Sequence, residues 1–197
     1  IAAVVAHHDL TVVRSHDERP PQHCESLEVT WPVSAAMLNV DVPVVVPSTW
    51  DLDSFLLDGG SGSWTHLGEP EADDHLVGVI EDLLDGFASM GTSRVVFLTM
   101  PPPVPGVPDE EAARHDERAA VYDAIVATLA ARRSDVVVLD FGGWLRSQTL
   151  QRRPELLPDG VHATGAGAEA VWSEFLGPEL AAHAGFDRIV RQAGTQR

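Results

Sequence analysis

Three short apolar runs, Val42 to Val46, Arg94 to Thr99 and Asp135 to Asp140, constrain the fold more than any other feature of the chain. A strand with one wet face alternates apolar and polar residues; these runs are nearly continuous in Val, Leu and Phe, as expected of strands covered on both faces. Sheets covered on both faces are mostly parallel, and parallel strands need long crossovers, usually helices. The intervening sequence supplies them. Asp73 and Asp74 open a helix with Leu76, Val77, Ile80, Leu83, Leu84 and Phe87 on one face, ending at Gly91. Glu110 to Arg133 is a second, with Tyr122, Ile125, Val126 and Leu129 inward and its charges in solvent. Trp31 to Asn39 reads as a short helix with Pro32 in its first turn, residues 1 to 8 as the end of a helix, and Leu10 to Val13 as a short buried strand. Phe141 to Arg153 is less regular. The alternation predicts an α/β fold, a doubly wound parallel sheet with its functional loops at one edge.

At 197 residues the chain is expected to form a single domain over 1–197. It carries 30 acidic against 13 basic residues, a balance of -17 that opposes binding to nucleic acid or to an anionic membrane surface. Cys24 is the only cysteine, which excludes an intrachain disulfide and a multi-cysteine zinc site. His16, His23 and Cys24 share a polar loop, but their spacing fits no common zinc pattern. Gly59 to Trp64 is glycine-rich without the spacing, or the following Lys-Ser or Lys-Thr, of a phosphate loop. No cofactor or metal is therefore expected. The sequence contains neither a membrane span nor a signal peptide. It opens at Ile1, in apolar, helix-compatible residues, so a further segment is expected upstream.

The strongest chemical signal is Leu157-Pro158-Asp159-Gly160-Val161-His162-Ala163-Thr164-Gly165. Gly160 permits a tight turn, Thr164 is a good N-cap, and Ala168, Val171, Trp172, Phe175 and Leu176 follow at helical spacing. A turn of this kind can aim the Asp159 carboxylate at one nitrogen of His162 while the other faces a cleft, the orienter and base of nucleophilic catalysis. The same spacing also serves a solvated turn, a helix cap or half of a metal site. Thr49, Trp50 and Asp51 lie in the segment Pro47 to Asp51 straight after the strand ending at Val46, where ligand-binding loops collect; a Trp packed over the sheet edge and a capping Asp fit at least as well. Trp64 is a large aromatic in a polar loop, and Met100 to Pro105 forms a rigid wall after the second strand.

Taken in this order, the strand with Trp50-Asp51, the glycine-rich loop running through Trp64-Thr65-His66 to Asp73, the strand and loop from Val95 to Pro102, and Asp159-Gly160-Val161-His162 resemble an SGNH (GDSL-like) hydrolase domain. The resemblance runs from about Leu10 to Leu180 and is closest to the SGNH domains of acyltransferase-3 membrane proteins that O-acylate cell-surface polysaccharides. It implies a three-layer α/β/α sandwich with flavodoxin-like winding and acyl-ester chemistry by a serine nucleophile. In that reading His162 is the general base and Asp159 its orienter, with Thr49, Trp50, Asp51 and Trp64 in the substrate and oxyanion region. The substrate is an acylated carbohydrate or small ester, the partner a membrane acyltransferase domain of the same gene, and the setting extracytoplasmic or membrane-tethered. The family's Gly-Asp-Ser block is absent; it is expected just before Ile1, since Ser48 and the other serines lack the strand-to-helix turn of a nucleophile. The Gly and Asn blocks that supply oxyanion donors are not recognisable. Without an upstream block the chain reads as an inactive relative, either a carbohydrate-binding module using Trp50 and Trp64 or a partner module of a membrane acyltransferase.

Overall fold

The computed structural model describes residues 6–7, 27–38, 40–47, 52, 54, 64–159 and 162–183. Among them, β1 (Ala6–His7), β2 (Val44–Val46), β3 (Val95–Leu98) and β4 (Val136–Leu139) form one parallel sheet in chain order. The three apolar runs thus become its strands, each trimmed at the ends. The registers Val44 to Val96 and Val96 to Val137 bring the β-branched residues of β2, β3 and β4 side by side.

Side chains alternate across the sheet and define two cores. Val45, Val95, Phe97 and Val136 pack into one with α1 (Leu27–Met37), α2 (Pro70–Ser89) and α3 (Asp109–Arg132). Val44, Val96, Leu98 and Leu139 pack into the other with α4 (Phe141–Ser147), α5 (Arg153–Leu156), α6 (Gly165–Val171) and α7 (Gly177–Ala182). The result is the expected three-layer α/β/α sandwich, and the absence of strand alternation follows from it: every residue of β3 is buried. In the second core Phe141, Trp144 and Phe175 form an aromatic group with ring centroids 5.3–5.9 Å apart.

Four local expectations are corrected. Within the stretch 1–8 expected to end a helix, the described residues Ala6–His7 are instead a strand paired with Val45 and Val46; a short apolar run has no period that separates buried strand from helix. Helix α1 begins at Leu27, leaving Pro32 inside it instead of in its first turn. Helix α2 begins at Pro70, not Asp73, because proline at the first position is pre-set for a helix and loses no bond there. Phe141 to Ser147 is helical despite Gly142 and Gly143, held by tertiary packing and a cap from Asp140. The ends of α2 and α3 otherwise fall close to expectation, with Gly91 at φ 87° just beyond α2. The reading of Leu10 to Val13 lies outside the described residues.

Between α6 and α7 the helix widens into a π turn, Trp172–Leu176, with the Gly177 N–H bonded to the Trp172 carbonyl. Pro178 follows and has no N–H to give, so the wide turn lets the helix continue past it. Among the described residues no helix is long and apolar enough to cross a membrane.

Candidate active site

The loop between α5 and α6 brings Asp159 and His162 together. The His162 backbone N–H donates to Asp159 Oδ1 at 2.6 Å, and its ring Nδ1 lies 2.7 Å from Asp159 Oδ2. A carboxylate can only accept, so Nδ1 carries a proton, and in the neutral ring the lone pair is on Nε2, the tautomer a general base requires. Both side chains are more than half exposed, at 57% and 59%. A hydrogen bond so open to water contributes little to stability, about 1 kcal/mol at most, so its consequence is orientation and not folding. The loop closes on Thr164, whose hydroxyl accepts the Gly167 N–H at 3.0 Å and caps α6 as expected.

The carboxyl ends of β3 and β4 hold a polar network that sequence reading missed. Thr99 Oγ1 donates to Asp140 Oδ1 at 3.1 Å and accepts the Gly142 N–H at 2.8 Å, while the Gly143 N–H donates to the same Asp140 oxygen at 2.9 Å. Asp123 reaches from α3 to accept the Met100 N–H at 2.8 Å, fixing the start of the proline-rich loop. Burial pushes the Asp123 carboxyl above its ordinary range, against the pull of that N–H. Nearby, Arg146 bonds Asp116 at 3.0 Å, and His115 lies half-buried 3.7 Å from the same carboxylate, its imidazole pushed down by burial. Asp140 followed by Gly-Gly after a buried strand was a legible cap signal; Asp123 and Thr99 had none, because their partners are distant in sequence.

Of the other expected site residues, Thr49, Trp50 and Asp51 lie outside the described residues, as do His16, His23, Cys24 and Gly160. The loop that follows β2 is gripped just beyond them, where Arg118 of α3 donates to the Leu52 carbonyl and reaches the Ser54 hydroxyl at 3.5 Å. Trp64 is 46% exposed and precedes α2 in the chain. Beside it, buried Thr65 donates to Glu69 at 2.7 Å, and this bond holds the Glu69 carboxyl below its ordinary range. Among the described residues no His, Cys, Asp and Glu side chains converge in a group that could hold a metal ion.

The fold and site together give a parallel α/β/α sandwich that carries an acid-oriented histidine on the loop ahead of α6. The family model for GDSL-like lipases and acylhydrolases matches residues 43–170, from the start of β2 through α6 and across both Asp159 and His162. The chain belongs to this family, and ester hydrolysis or acyl transfer is its general chemistry. Among solved structures it is similar to a presumed acylhydrolase from Bacteroides fragilis at 16% identity, with 81% of this chain and 69% of that chain covered and a TM-score of 0.45. No curated protein matches.

Proposed function

We propose that this chain is the His-Asp part of a serine-dependent ester hydrolase or O-acyltransferase acting on acyl, most simply acetyl, esters of cell-surface glycans. The observation that carries this reading is the Asp159–His162 geometry, with Oδ2 and Nδ1 2.7 Å apart. In the proposed cycle Nε2 of His162 takes the proton of a serine hydroxyl as its oxygen attacks the ester carbonyl carbon. Asp159 stabilises the imidazolium, and the tetrahedral intermediate collapses as Nε2 returns the proton to the departing alkoxide. Water then attacks the acyl-serine in hydrolysis, or a sugar hydroxyl in transfer, with His162 again the base. The serine is assigned to a Gly-Asp-Ser block preceding Ile1, and Thr49 to Asp51 with Trp64 to the substrate side. Placement beside a membrane acyltransferase domain, outside the cytoplasm, belongs to the same proposal and rests on the acyltransferase-3 resemblance.

The test is turnover of a chromogenic acetyl ester by the full-length gene product. Activity lost on replacing the serine of an upstream Gly-Asp-Ser block supports the reading; absence of both block and activity overturns it. The exposure of Trp64 favours one second reading, an inactive SGNH-like module that binds carbohydrate by stacking. That reading predicts glycan binding lost in Trp64→Ala without any ester turnover.

A further inference from the structure

We infer that Gly167 is a positioning residue for the Asp159–His162 pair, because its missing side chain lets the two ends of the loop that carries them meet backbone to backbone. The inference rests on the reading of that pair as the orienter and base, and names what holds it in place. A Cβ built on Gly167 would overlap the Leu156 carbonyl oxygen and stand 2.9 Å from its carbonyl carbon and 3.1 Å from its Cα. These are backbone atoms at the end of α5, with no flexible side chain that could swing aside. Leu156 itself is buried in the second core together with Val171 of α6, so neither helix is free to retreat.

Asp159 and His162 therefore lie on a connection between α5 and α6 whose two ends are pinned to each other. The same residue has a second hold on the loop, since its N–H is the one accepted by Thr164 Oγ1. A side chain at position 167 would push α6 from α5, spreading the loop ends and loosening the 2.6 Å bond from the His162 amide to Asp159. Gly165, in the first turn of the same helix, provides the contrast: a Cβ there meets nothing within 4 Å.

Nuclear magnetic resonance of the 15N-labelled chain tests this without any turnover, so failure of the esterase reading and failure of this one are separable. In Gly167→Ala the His162 amide should exchange with solvent at least about tenfold faster, while the amides of β3 keep their rates. The long-range 15N spectrum of the imidazole should change from the Nδ1–H form to a mixture of tautomers. Gly165→Ala should leave both readouts at wild-type values. A folded Gly167→Ala chain with unchanged His162 exchange and tautomer overturns the inference. Should that variant not fold, native-state exchange of the wild-type chain decides: one common opening for the His162 and Gly167 amides supports the clamp, and His162 opening while Gly167 stays protected overturns it.

Discussion

Asp140 and Asp159 perform the same backbone act and are put to different ends. Each accepts the N–H of the third residue on, Gly143 at 2.9 Å and His162 at 2.6 Å. At Asp140 the same oxygen also accepts the Thr99 hydroxyl, which ties the ends of β3 and β4 together. At Asp159 the second oxygen meets an imidazole that is more than half exposed. The residue three positions on decides the outcome: glycine makes the turn a helix cap and scaffold, and histidine puts an oriented, half-exposed imidazole on it, the group proposed as the base. An acid-x-x-residue turn is thus a neutral device, and chemistry comes from what its carboxylate is given to hold.

The contrast fails most visibly if His162 can be removed without consequence. In the full-length gene product, His162→Ala should lower ester kcat by several orders of magnitude with the melting temperature nearly unchanged, measured by steady-state kinetics and calorimetry. Asp159→Asn is next: the amide can still accept the His162 N–H but no longer fixes the Nδ1–H tautomer, so kcat should fall roughly 100- to 10,000-fold while circular dichroism stays native. Asp140→Ala should show the opposite signature. Loss of the cap and of the Thr99 bond should cost about 1–2 kcal/mol, roughly 2–8 °C in melting temperature, with kcat within about threefold of wild type. A large kcat loss in this variant would mean that the scaffold turn and the base-bearing turn are not separate.

The smallest effect concerns Asp123, the α3 acid that accepts the N–H of Met100 just after β3. Its carboxyl is pushed up by burial, so the folded protein holds that proton more readily than the unfolded chain does. The cost of ionising it inside the fold is therefore present at neutral pH and disappears as pH falls through its folded value toward the ordinary range. Asp123→Asn keeps an acceptor for the Met100 N–H and removes that charge. Its melting temperature should exceed wild type modestly at pH 7 to 8 and converge on it near pH 4; a gain that persists in acid would assign the effect to packing.

How far the sequence could be read follows from the range of the forces involved. Strands β2, β3 and β4 and the inward faces of α2 and α3 were legible because burial writes a local pattern: Leu76, Ile80, Leu83, Leu84 and Phe87 recur at helical spacing and are all buried. The Asp159–His162 pair was legible because both partners and their turn sit within a few residues. Helix α4 was not, since Gly142 and Gly143 argue locally against a helix and only the Asp140 cap and the Phe141–Trp144–Phe175 packing override them. The Thr99–Asp140 bond, the Asp123–Met100 bond and the contact of Gly167 with Leu156 join residues whose proximity the fold creates, and no local pattern announces them.

The central claim is that Asp159 and His162 activate a serine, and a fluorophosphonate that phosphonylates only activated serines tests it most directly. Mass spectrometry of the full-length gene product should find one labelled serine, in a Gly-Asp-Ser block, with labelling slowed at least about 1,000-fold in His162→Ala. Equal labelling of wild type and variant, or no labelled serine in the wild type, would contradict the account.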